Sequence, residues 1–169
     1  VLERPLPPAA IPDTLQASLF ARLDRLSAAR EIAQIGAAIG RSFPYDLLAE
    51  VPPLGPAPLA TALAELEAAE LVFRRGRLPD AVYTFKHALV RDAAYAGLLK
   101  SKRRVLHAAI AEALERRFAD LAESQPETLA HHLTEAGEHS RAAPQWLKAG
   151  RNAAARSANL EAIAHLERG

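Results

Sequence analysis

His87 is the best-placed chemical group in this chain. It follows the alternating run Tyr83-Thr84-Phe85 and precedes Ala88-Leu89-Val90-Arg91-Asp92-Ala93-Ala94-Tyr95, where a strand gives way to a helix. A helix start presents unpaired backbone N–H groups and a partial positive charge, which together attract anions. An imidazole there adds a hydrogen-bond donor for a phosphate, and its charge changes near neutral pH. The competing reading makes His87 a helix cap, or a ring packed on Tyr83 and Phe85, whose parity it shares if the strand runs that far.

Other groups suggest weaker chemistry. Lys100, Lys102, Arg103 and Arg104 form the densest basic cluster. They fall at the start of a helix, where the macrodipole favours acids. That conflict marks Lys102, Arg103 and Arg104 as a possible domain interface facing an acidic partner, against the plainer reading of a solvated basic face. His131, His132 and Glu135 suggest a metal, but only His131 and Glu135 have the i, i+4 spacing that shares a helix face. Two ligands make an incomplete site, so a surface helix is expected there and no metal. Neither Gly-x-Ser-x-Gly nor Gly-x4-Gly-Lys-Ser/Thr occurs, and no carboxylate pair stands out as an acid/base couple. No catalytic residue is expected.

The elements that must position these groups read as follows. Pro5, Pro7, Pro8 and Pro12 mark a linker over residues 1–12. Leu15, Leu19, Leu23 and Leu26 repeat at helical spacing. Ser27 is expected to cap the next helix, with Ile32, Ile35 and Ile39 as its buried stripe and Gly40 as its stop. A short helix follows from Pro44. After the Pro52-Pro53-Leu54-Gly55-Pro56 turn comes a helix reaching Leu71, with Leu59, Leu63 and Leu66 on one face. Leu71–Arg75 and Val82–Lys86 read as a β-hairpin, joined by turn chemistry at Arg75-Gly76 and Pro79-Asp80. Helices closing on a hairpin in this order look like a winged-helix domain.

From His87 onward the pattern is helical. Leu89, Val90, Ala93, Ala94 and Leu98 form one face, and Leu106, Ile110, Ala113 and Leu114 the next. Pro126 opens a helix carrying Leu129 and Leu133. Trp146-x2-Ala149-Gly150-x2-Ala153, followed by Ala162 and Leu166, fits the spacing of a tetratricopeptide repeat. One such repeat cannot stand alone, so the array is expected to continue. The expected fold is all-α with a small β-hairpin: a winged-helix-like domain over residues 13–99, then a helical linker and the start of a tetratricopeptide-like superhelix over residues 100–169.

Composition sets the outer bounds. The chain is 50% hydrophobic, 24% charged and only 5% aromatic, the profile of a soluble helical protein. Lys+Arg 21 against Asp+Glu 20 leaves a net charge of +1, with no global pull toward nucleic acid or acidic membrane. Absence of Cys excludes disulfides, thiolate zinc sites and cysteine nucleophiles, and fits a cytoplasmic setting. No apolar run reaches the about 18 residues of a transmembrane helix, so no membrane partner is expected. The lack of Met, even at position 1, predicts a processed chain or, as the preferred reading, a segment of a longer one. Duplex DNA is not an expected partner, because the candidate recognition helix carries Glu65, Glu67 and Glu70 and no basic or amide side chain.

The stretch Ile11–Ala38, the hairpin, Phe85-Lys86-His87-Ala88-Leu89-Val90-Arg91-Asp92-Ala93-Ala94-Tyr95, and Arg104-x2-His107 followed by a helical repeat resemble bacterial signal-transduction ATPases with numerous domains (STAND ATPases). They are similar to the ATPase-plus-repeat regions attached to class III adenylate or guanylate cyclases and to large transcriptional regulators. In related plant-resistance and apoptotic ATPases, a Met-His-Asp motif starts this helix, and its histidine touches the β-phosphate of ADP. Lys86, His87 and Ala88 take the three positions here, so the histidine matches and the acid does not. The resemblance implies a non-catalytic regulatory segment that holds no cofactor itself, with ADP or ATP bound elsewhere in the parent protein. It further implies an upstream nucleotide-binding domain as a partner of His87, and a protein or small-molecule signal on the repeats.

Overall fold

The computed structural model describes residues 21, 23, 25–51 and 55–169. The proline-rich linker, Leu15, Leu19 and Pro52-Pro53-Leu54 lie outside the described residues; Leu23 is buried and Leu26 partly so.

Helix α1 (Ser27–Ile39) buries Ile32 and Ile35 together with Ala29 and Ala33 and ends at Gly40, as its spacing predicts. Ser27 is not its cap. The Leu26 carbonyl accepts the Arg30 N–H at 2.6 Å, so Leu26 holds the N-cap and Ser27 is already the first helical residue. At Gly36 a Cβ would stand 2.7 Å from the Phe43 ring, so the missing side chain lets the helix approach the sheet.

That sheet has three strands rather than the expected two. Strand β1 (Ser42–Pro44) precedes α2 (Tyr45–Glu50) and α3 (Pro56–Ala68), and the hairpin strands are β2 (Val72–Arg75) and β3 (Val82–Phe85). The order is β1-β3-β2, antiparallel throughout, with Phe43 opposite Tyr83 and Val72 opposite Phe85. A lone hairpin is marginal in water, and β1 relieves this by pairing the free edge of β3. Phe43, Tyr83 and Phe85 put three buried rings on one face, with Phe43 5.9 Å from Tyr83 and 5.3 Å from Phe85. Helix α3 starts with Pro56 at its first turn and buries Leu59, Leu63 and Leu66. It stops at Ala68, short of Leu71, because Glu70 takes a left-handed φ of 57° to turn the chain into β2.

The remaining chain is helical: α4 (Ala88–Ala96), α5 (Lys100–Arg117), α6 (Ala119–Ser124), α7 (Pro126–Ala136), α8 (His139–Ala155) and α9 (Asn159–Arg168). Two apolar clusters result. Ile32, Phe43, Leu59, Leu63, Phe85 and Val90 centre the first. Ile110, Leu114, Leu129, Leu133 and Trp146 centre the second, with Ala38 and Leu47 reaching into it. Ile39, Val51, Tyr95 and Leu106 touch both, so α5 lies along a shared seam. Among the described residues, no helix is long and apolar enough to cross a membrane.

Candidate functional site

His87 occupies the N-cap of α4 with extended backbone, φ −133° and ψ 140°. Its carbonyl accepts the Val90 N–H at 3.1 Å, while its side chain makes no capping hydrogen bond and is exposed. Tyr83 and Phe85 are buried, so the ring does not join them; β3 ends before reaching it. Beside it, Lys86 pairs with Glu70 at 3.2 Å, and Ala88 is exposed.

The basic cluster serves other helices. Arg103 donates to the carbonyls of Leu98 at 3.1 Å and Ala96 at 3.3 Å, and its guanidinium lies 4.5 Å from the Tyr95 ring centre. Arg104 donates to the Ala136 carbonyl at 3.3 Å, at the end of α7. Both cations therefore meet helix C-termini, where the macrodipole is negative. The mismatch at the start of α5 is offset by favourable ends of α4 and α7. Lys102 instead lines a groove of about 350 Å³ with Glu31, Gln34, Ile35, Leu98 and Val105.

A third constellation lies between α5 and α7. His107, His131 and His132 each bring a ring nitrogen to within 4.8 Å of the others. His107 Nδ1 and His132 Nδ1 are hydrogen-bonded at 2.8 Å, and Tyr95 Oη stands 2.9 Å from His107 Nε2. The Tyr95 hydroxyl also reaches Glu135 Oε2 at 3.5 Å. His131 closes the group edge-on to His107, ring centres 5.7 Å apart, and 5.3 Å from His132. His107 and His132 are each 1% exposed, so the surface-helix reading of this region fails for His132.

Burial first, then the neighbouring imidazoles, hold His107 down to about 4 and His132 down to about 3. His131 keeps part of its surface in solvent, yet it too is lowered, mainly by ring burial with Arg168 adding and Glu135 opposing. At neutral pH the two buried rings, His107 and His132, are neutral, and His131 is pushed the same way. Each neutral ring has one donor and one acceptor nitrogen, suited to relaying a proton or to ligating a metal.

Sequence reasoning placed His131 and Glu135 on one face but did not bring in His107. A signal existed. His107 shares a stripe with Ile110, Ala111 and Leu114, and His132 one with Leu129, Leu133 and Ala136, both at core spacing. A histidine on each of two core stripes is a reason to test whether those stripes face each other.

No family model matches the chain. An uncharacterized protein of Rhizobium meliloti (strain 1021) is 34% identical over 152 residues, which cover 88% of this chain. The chain spans 15% of the length of that relative. No solved structure matches.

Proposed function

We propose that this chain is a non-catalytic regulatory segment of a signal-transduction ATPase with numerous domains. A winged-helix-like unit, residues 13–99, reports the nucleotide state of an upstream domain to the start of a tetratricopeptide-type superhelix, residues 100–169. The observation that carries this reading is His87: exposed, at the N-cap of a nine-residue helix, with no capping bond to occupy its ring. It is available to a phosphate brought by another domain, next to the free N–H groups of the helix start.

Two features support the rest. Gly150 of α8 lies against Leu166 and the Ala162 carbonyl of α9, the close approach a tetratricopeptide-type helix pair needs. Leu160, Ile163 and Leu166 on α9 remain exposed at 85%, 53% and 48%, as expected of a face that receives a further repeat. The relative's much greater length fits a segment working inside a large protein. ADP or ATP would be held by the upstream domain, and the signal, a protein or small molecule, by the repeats.

The test is nucleotide retention in the full-length protein. Denaturing it and assaying the supernatant should release ADP or ATP from wild type and much less from His87→Ala. Equal release from both would make His87 structural and end the sensor reading. No nucleotide in either would leave a docking module indifferent to nucleotide.

A further inference from the structure

The histidine group has the composition and spacing of a ligand set. A tetrahedral ion of the zinc class takes imidazole nitrogens at about 2.0–2.1 Å, which sets two such ligands about 3.3 Å apart. His107 Nδ1 and His132 Nδ1 stand 2.8 Å apart, and the furthest separation within the three-ring set is 4.8 Å. Binding would open the first pair by about half an ångström and close the wider ones by up to about 1.5 Å, through turning of the rings. Imidazole is a good donor for zinc, copper and nickel, and with no Cys in the chain no thiolate competes for the ion.

We propose that His107, His131 and His132 bind one divalent transition-metal ion of the zinc class, leaving a fourth position for Glu135 or water. Glu135 lies one turn beyond His131 on the exposed side of α7, its Oε2 3.5 Å from the Tyr95 hydroxyl. The surroundings fit the ligands too. With the ion on Nδ1, the remaining His107 proton must sit on Nε2, where it donates to the Tyr95 oxygen 2.9 Å away. The Tyr95 hydroxyl then donates onward to Glu135, 3.5 Å away. A ligating histidine held through its other nitrogen by such a chain is the usual outer arrangement of metal sites. Arg103, stacked on Tyr95, and Arg168, stacked on Trp146, are the cations facing the group; Glu135 is the anion that opposes them.

Such an ion would bind α5 to α7 directly and α4 through Tyr95, across the seam where the two apolar clusters meet. It would fix the repeat region against the sheet-bearing unit. This role is independent of nucleotide and of His87.

The experiment is a metal titration of the chain after chelator treatment and dialysis. Zinc is added in competition with a chromophoric chelator, and cobalt(II) is added separately to read coordination from its visible spectrum. Expected are one zinc per chain at micromolar affinity or tighter, a tetrahedral cobalt spectrum, and a Tm that rises with zinc. Tyr95→Phe, which removes only the outer hydroxyl, should weaken binding about 10–100-fold. His131→Ala and His131→Gln, at a partly solvated position, should weaken it further and abolish the zinc-dependent rise in Tm while circular dichroism stays unchanged. Absence of saturable binding at one ion per chain would overturn the site. So would wild-type affinity in both His131 variants.

Discussion

The Nδ1 atoms of His107 and His132 face each other at 2.8 Å across the contact between α5 and α7. Only one proton fits between them, so the two rings cannot both be imidazolium while this contact lasts. Tyr95 extends the pair toward Glu135: its hydroxyl donates to Glu135 Oε2, so its oxygen accepts from His107 Nε2–H. What it does not tolerate is charge on both buried rings.

Stability should therefore fall with acid in a specific window. His107 is held at about 4 and His132 at about 3 in the folded chain, against about 6.5 when unfolded. Between those values the unfolded chain binds protons that the folded one does not. The contribution is fully present above about pH 6.5 and is lost progressively as pH drops toward the folded values. Each ring adds a slope of up to about 1.4 kcal/mol per pH unit. Urea midpoints measured with chelator present should be level above neutrality and decline below about pH 6.5. His107→Leu combined with His132→Leu should flatten that decline, since replacing both partners of a buried pair leaves no orphan. An equally steep decline in the double variant would place the acid sensitivity elsewhere.

A second coupling joins Gly137 to Arg104. Gly137 ends α7 with φ 82°, and a Cβ there would overlap the Arg104 guanidinium that caps the Ala136 carbonyl. Gly137→Ala should cost about 1–2 kcal/mol for the left-handed backbone alone, and more through the displaced arginine. Arg104→Ala should cost about 1 kcal/mol for the lost hydrogen bond. In the double variant the overlap is gone, so the measured loss should be smaller than the sum of the single losses. Strict additivity in urea denaturation would show that the two do not share this contact.

Helix order is legible in the sequence because apolar spacing survives folding. Ile32 and Ile35, Leu59 with Leu63 and Leu66, and Ile110 with Leu114 are all buried where their period puts them. Strand β1 is not legible. Ser42–Pro44 offers one buried side chain, Phe43, too little for alternation, and its strand character comes from pairing with β3. The roles of Arg103 and Arg104 are hidden for a related reason. Sequence shows them at the head of their own helix, while Arg103 folds back on carbonyls at the end of α4 and just after it, and Arg104 reaches the end of α7, a contact fixed only by tertiary packing. His107 and His132 are 25 residues apart on separate helices, and only the packing of α5 on α7 makes them one group.

Duplex DNA should bind weakly. On α3 the solvent side presents Ala60, Thr61, Ala64, Glu65 and Ala68, with no donor for base edges or phosphates beyond one hydroxyl. The basic groups nearby are partly neutralised: Arg74 faces Glu67 at 3.6 Å and Lys86 faces Glu70 at 3.2 Å. Arg75 and Arg77 stay exposed on the hairpin side, enough for a diffuse phosphate contact without a reading helix. Anisotropy with a labelled duplex should therefore give dissociation constants in the non-specific range, about 10⁻⁴–10⁻⁶ M at physiological salt. Glu65→Lys with Glu67→Lys should tighten that binding and steepen its salt dependence, because the change removes two repelling carboxylates and frees Arg74. Nanomolar, sequence-dependent binding by the wild type would contradict this reading of α3 and favour a DNA-binding role for the sheet-bearing unit.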